Sequence, residues 1–438
     1  MASKQQARSQ RIVDVLGDAF AGLMTADPTA FRRKFRKMAA DPFAFYRGSA
    51  CLFYADLDEA DDVVNDKRTS RVWIHGDLHA ENFGTYMNAD GVLVFDVNDF
   101  DEAYLGPFTW DLLRLVSSLA LLGRQKAFPD ESLRELATGY LNSYADQVDH
   151  YVRGDDDEEF ALRLDNTHGA VHAALLSARA SSRTALLGGI TNVVDNERHF
   201  SDVPGTRRLD HDEQYRVMGA FEAYLDTVPD DKRHDRTLFY TVKDVVARSG
   251  FGIGSAGLPA YNVLIEGPNQ ALENDVVLAM KQGQVPALSR VRNDPAANDY
   301  FHHEGHRTVV SQRALQVHSD PFLGWCTIGE TGFVVDELSP YEADLDWGAI
   351  SEPEEVAPVL ADLGSATAKI HCAADQDSDE ELIAFQTEKA IANVLQGRRD
   401  ETIAHLVDQG LAYAEQVRAD HQLFVDAFRE NRIGVSST

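Results

Sequence analysis

The chain has 438 residues, 44% of them hydrophobic and 26% charged, with 71 acidic against 41 basic residues and a formal charge of −30. That length can bury a large core and suggests more than one domain or one large body. The charge argues against a broad nucleic-acid or anionic-membrane surface, because phosphate binding needs clustered Lys and Arg.

No apolar run is long enough for a membrane span, and the opening "MASKQQARSQRIVDVLGDAF" lacks the apolar core of a secretory signal, so a cytoplasmic location is expected. Cys51, Cys326 and Cys372 are too few and too scattered for a disulfide framework or a cysteine zinc site. They are expected to be buried, reduced thiols.

Residues 8–60 read as helices, with a basic face and aromatics in "FRRKFRKMAADPFAFYRG". Residues 71–99 read as a strand, a polar turn and a hairpin, in which Asn88 to Gly91 has turn chemistry. Helical spacing resumes in "TWDLLRLVSSLALLGR" and dominates to about residue 230, with the acidic stretch Gly154 to Glu159 read as a solvated loop. "VPDDKRHDR" reads as a charged linker. From Tyr240 to about Leu338 the pattern turns to strands, interrupted by one helix at about 296–317, and after Trp347 helices return. The expected class is α+β: a small antiparallel-sheet lobe (236–345) inserted into a mainly helical lobe formed by 1–235 and 346–438.

The chemistry concentrates in "HGDLHAEN", His75 to Asn82, which fits H-x-D-L-x-x-x-N. In that spacing an Asp at a strand end, Asp77, can accept the proton of an attacking hydroxyl, and an Asn five residues on, Asn82, can turn back to hold a divalent metal. A second metal ligand is expected after the hairpin, at Asp99 or Asp96. Asp99 is preferred because it lies just past the strand. Asp111 opens a helix, as a cap or a brace for the turn, and His75 and His79 are expected to brace the turn as well.

Gly252, Gly254 and Gly257 in "GFGIGSAGL" form G-x-G-x-x-G between two strand-like runs, a context that favours a hairpin covering phosphates, with Ser255 inside it. Lys281 ends the alternating strand "VVLAMKQ", as in the V-A-I-K strands whose Lys contacts nucleotide phosphates. Glu304, on the following helix, is the expected acidic partner of Lys281, while Arg307 and Arg313 on that helix could serve phosphate or structure. Backbone groups from Asp336 through Glu337 to Leu338 are the expected adenine contact. His302, His303 and His306 lack an H-E-x-x-H pattern, which ranks a zinc hydrolase last. Arg179 and Arg183 read as surface arginines that could otherwise meet an anionic substrate.

These segments resemble the protein-kinase-like superfamily. "HGDLHAENFG" and "NDFDEAYLGPFTWDLLRL" look most like the aminoglycoside and choline kinase branch, whose D-x-x-x-A-x-x-G-x-x-x-x-D-L pattern selects Asp99 over Asp96. Across nearly the whole chain, "DPFAFYRG", "NDFDE", "GFGIGSAG", "QRALQ", "SDPFLGW" and "KIHCAAD" are similar to recurring segments of the bacterial family named domain of unknown function 2252. In ordinary kinases the glycine loop and strand Lys precede the catalytic turn; here they follow it. The resemblance therefore implies a circularly permuted two-lobed kinase-like fold, with "LADLGSATAKIHCAAD" supplying the helix that would otherwise lead into the turn. It implies an ATP- and Mg2+-dependent phosphotransferase acting on a hydroxyl.

Gly76, where many protein kinases carry Arg, favours a small-molecule acceptor over control by activation-loop phosphorylation. The competing expectations are AMP transfer on the same fold and a nucleotide-binding regulatory module without turnover. The acceptor and the oligomeric state have no signature in the sequence.

Overall fold

The structure is a computed structural model that describes residues 2–60, 62–154, 157–233, 238–248, 257–376, 378 and 382–434. The described residues form an α+β architecture with fourteen α-helices, one six-stranded sheet and three two-stranded sheets. No helix among them is long and apolar enough to cross a membrane.

Local chemistry sets the first elements. Asp-Pro occurs four times, and at Asp27, Asp41 and Asp294 the Asp caps a helix that the Pro begins. The Asp27 carboxylate accepts from Ala30 N at the head of Pro28–Met38, and Asp41 accepts from Ala44 N at the head of Pro42–Gly48. Helix Phe108–Gln125 is buried along nearly its whole length, and helix Arg399–Arg429 packs along it. Helices Asp130–Gly154 and Pro353–Cys372 form the other large pair. Together they make one continuous apolar core centred on Trp73, Phe108, Tyr144 and Leu363.

The large sheet is antiparallel throughout, in the order Gly324–Ile328, Thr331–Glu337, Val276–Gln282, Ala260–Ile265, Val242–Arg248, Thr206–Arg208. Its separate core is made by Val263, Leu278, Met280 and Val335 against Phe221 and Tyr224 of helix His211–Tyr224. Helix Glu304–Gln316 packs on the two strands at one end of the sheet and also touches Pro353–Cys372. After Glu337 the chain lies along the hairpin Phe83–Met87/Leu93–Val97: Thr85 N donates to Ala343 O at 2.9 Å, and Gly84 bridges Asp344.

Several elements differ from the sequence reading. Strands begin before residue 236, because Thr206–Arg208 pairs with Val242–Arg248 and helix His211–Tyr224 packs beneath the sheet. This edge strand, "TRR", has no apolar alternation to reveal it. The hairpin Thr191–Val194/Glu197–Phe200 also lies in a stretch read as helical. The helix expected at 296–317 is two helices, Pro295–Tyr300 and Glu304–Gln316, and Gly324–Ile328 is an additional strand. The three cysteines are buried and free, and the hairpin turn follows its chemistry: Asn88 Oδ1 accepts from Val92 N at 2.8 Å and Gly91 has φ +74°.

One buried ion pair fastens the two halves of the helical body. Lys369 Nζ, 3% exposed as a residue, reaches Asp96 Oδ2 at 2.7 Å and Leu315 O at 2.7 Å. Removing one partner strands the other as an uncompensated buried charge, whereas replacing both with apolar side chains removes the problem. Lys369→Met is therefore expected to lower the unfolding free energy by about 3–5 kcal/mol, and Lys369→Met with Asp96→Leu to recover most of it. Urea denaturation of the two variants checks this; equal losses would show that a stranded Asp96 charge is not what destabilises Lys369→Met.

Candidate functional site

Strand Val72–Ile74, held by Tyr104–Gly106, delivers the chain into the polar turn. Beneath it the first turn of helix Phe108–Gln125 presents Asp111, fully buried. Its Oδ2 accepts from His75 N at 2.6 Å and its Oδ1 from Gly76 N at 3.0 Å, with His371 Nε2 3.2 Å away. A carboxylate thus satisfies two backbone donors that the turn would otherwise bury unpaired. Gly76 sits at φ +78°, and a Cβ there would overlap the carbonyl oxygen of Glu102. Only glycine fits. His75 accepts from Asp77 N through Nδ1 at 3.3 Å, so Nε2 carries the proton that meets Asn98 O at 2.8 Å.

Asp77 has a partner that the sequence reading did not name. Arg114, one turn along the same helix from Asp111, donates through Nε to Asp77 Oδ1 at 2.8 Å and through Nη2 to the same oxygen. The guanidinium is fully buried, lying 4.5 Å from the ring centroid of Tyr46 and 5.1 Å from that of Phe53. Burial, only partly offset by Arg114, pushes the Asp77 carboxyl upward. Its other oxygen, Oδ2, lies 3.8 Å from His79 Nε2. Burial, then Arg47 and Arg114, hold His79 well below the usual histidine range, so it is neutral.

Asn82 Nδ2 donates to Asp77 O at 2.8 Å, and Asn82 O accepts from Asn98 N at 3.1 Å. With its amide nitrogen committed, the side-chain oxygen is the atom left to serve a cation. Asp99 follows with φ +60°, a left-handed conformation in a non-glycine residue that turns it out of the strand. Asp96 is sequestered by Lys369 instead.

Asp77, Asn82, Asp99, Lys281, Asp336 and Glu342 line one cavity of about 410 Å³. Lys281 lies across the cavity from the turn, its side chain 46% exposed and 3.3 Å from Asp336 Oδ2. Asp336 foremost, then Glu342, Asp101 and Asp99, raise the Lys281 ammonium above its ordinary range. The register explains the pairing: Ala279 faces Asp336 and Lys281 faces Val334, so Lys281 and Asp336 are diagonal neighbours on one face of the sheet. Glu304, the expected partner, bonds Arg307 Nε at 2.6 Å instead. Arg307 in turn is buried and clamps the carbonyls of Ala103, Asp101 and Gln284 at 2.6, 2.7 and 2.9 Å.

The remaining predicted residues fall as follows. Arg313 donates to the carbonyls of Thr227 and Leu323, Arg183 pairs with Glu337, and Arg179 is exposed. Glu337 N donates to Asp320 Oδ2 at 2.7 Å and Leu338 N to Val277 O at 2.9 Å, so two of the three amides in the expected adenine segment are already committed. Gly252, Gly254 and Ser255 lie outside the described residues. Gly257, at φ +85°, packs against Asp27, Ala30 and Phe31 at the head of helix Pro28–Met38.

Two comparisons returned nothing: no curated protein and no solved structure matches the chain. The family described as "Uncharacterized protein conserved in bacteria (DUF2252)" matches residues 26–427, and the chain belongs to it.

The cleft is crowded with acids. Asp101 is raised to about 7 by burial and Asp99; Glu342 is raised to about 7 by burial and Asp336. Glu102, raised chiefly by burial, and Asp320, raised by burial and Glu337, also reach about 7. Because these carboxyls hold protons in the folded chain that the unfolded chain has released, the stability they contribute is complete at acid pH and is lost as pH rises through neutrality. The unfolding free energy of the ligand-free protein is expected to fall between about pH 5 and about pH 7.5, by about 1.4 kcal/mol per pH unit for each such proton. Urea unfolding across that range measures the slope, and Glu342→Gln should flatten it; a rising slope would mean the acids are ionised.

Proposed function

We propose that this member of the family is an ATP- and Mg2+-dependent phosphotransferase that acts on a hydroxyl of a small-molecule acceptor. The carrying observation is that Asp77, Asn82 and Asp99 share one cavity with Lys281, an ammonium encoded some two hundred positions later. The two-lobed, circularly permuted kinase-like arrangement belongs to the same proposal. Helix Pro353–Cys372 supports it: late in the chain, it nevertheless packs on strand Val72–Ile74 and touches Asp111 through His371.

The donor set fits the groups this reading requires. Asn82 and Asp99 offer the hard oxygen atoms that Mg2+ selects, and Asp336 Oδ1 is a buried oxygen without a partner in the same cavity. Bound MgATP supplies the phosphoryl group and neutralises charge as it transfers. The chain's own residues position the reactants. Asp77, anchored on Oδ1 by Arg114, keeps Oδ2 to receive the proton of the acceptor hydroxyl. Neutral His79 beside it adds no competing charge. Lys281, kept charged and oriented by Asp336, steadies phosphate oxygens from the sheet side. Gly76 cannot carry the arginine through which many protein kinases read a phosphorylated loop, which favours a small acceptor.

Incubating the protein with ATP, Mg2+ and a bacterial small-molecule extract, followed by mass spectrometry, tests the reading. A product heavier by one phosphoryl group is expected; a gain of one adenylyl group would establish AMP transfer instead. Asp77→Asn is expected to lower turnover by about 10²–10⁴-fold while leaving Mg-dependent ATP affinity nearly unchanged. Equal ATP binding with no turnover in either protein would establish a binding module.

A further inference from the structure

A second group of acids lies outside the cleft. Asp157, Asp375 and Glu388 each offer a carboxylate oxygen, and these atoms lie within 4.8 Å of one another. They come from three places in the chain: the turn after helix Asp130–Gly154, the segment after helix Pro353–Cys372, and the first turn of helix Thr387–Leu395. None of them lines the cavity at Asp77.

Clustered acids alone mean little, but Glu388 is only 3% exposed: its Oε1 lies 3.6 Å from Lys389 Nζ, while its Oε2 meets no N–H donor and faces the carboxyl of Asp375. A buried carboxylate oxygen without a donor is costly, and it faces two further carboxylates. Asp375 is equally buried, and one of its oxygens accepts from Thr387 N at 3.1 Å. Burial and the neighbouring Asp375 push Glu388 up to about 7.

We propose that Asp157, Asp375 and Glu388 form a structural site for one hard divalent cation, Ca2+ before others, tying together three helix ends of the helical body. An all-oxygen set selects such an ion over soft metals. The inference does not rest on the phosphotransferase reading.

Calcium titration calorimetry on the full chain, stripped with a chelator, tests it. The Asp99→Asn protein is used as parent, so that a ligand of the cleft is removed. One bound Ca2+ and a raised melting temperature are expected. Added to that parent, Glu388→Gln and the half-buried Asp157→Asn should each weaken the site at least tenfold. Asp157→Asn reads the site even where Glu388→Gln disturbs folding. A parent that takes up no Ca2+, or variants that bind as the parent does, would overturn the proposal.

Discussion

The candidate site depends on one helix that carries two opposite charges into the core. Asp111 and Arg114 lie one turn apart on Phe108–Gln125, both without solvent exposure. One takes the backbone donors of His75 and Gly76, and the other takes the side chain of Asp77. Backbone and side chain of the turn are thereby fixed from a single rigid element. Neither charge would tolerate burial alone: Asp111 is compensated by N–H groups and Arg114 by a carboxylate and two aromatic faces. Preorganisation of this kind is what positions a reacting group within the narrow tolerance that catalysis demands.

The rest of the fold brings distant chain to that helix. Lys369 locks the hairpin carrying Asp96 to the late helix, and Arg307 clamps the carbonyls of Asp101 and Ala103 beside Asp99. The segment after Glu337 lies along the same hairpin, so the sheet bearing Lys281 is tied to the turn bearing Asn82 through a few backbone bonds. The cleft's surplus of carboxyls follows from this convergence: Asp101, Asp320 and Glu342 come from three separate stretches of chain and meet in the cavity that Lys281 lines from the sheet, while Glu102 lines a neighbouring pocket with Lys34 and Arg290.

Local spacing made part of this legible. The turn from His75 to Asn82 is contiguous in sequence, so its pattern could be read directly, and the resemblance of the Asp99-to-Asp111 interval to a kinase-branch pattern favoured Asp99 over Asp96. The strand alternation around Lys281 was equally local. What escaped were pairings set by packing: Asp77 with Arg114, Lys281 with Asp336 in place of Glu304, and Asp96 with Lys369. A signal existed for the first of these. Arginine inside "WDLLRLVSSLALL" is a charge on a mostly apolar helix, sharing a narrow stripe with Asp111 and Ser118, and such a charge needs a buried partner. The diagonal contact of Lys281 with Asp336 required strand order and register, which alternation alone does not supply.

Gly76 has an evolutionary consequence. Its left-handed backbone and the overlying Glu102 carbonyl close this position to every other amino acid unless the neighbouring stretch around Asp101 moves as well. No single codon change can therefore graft a basic side chain onto this position. Lineages descending from this chain would have to rebuild two segments together before any side chain could stand at position 76.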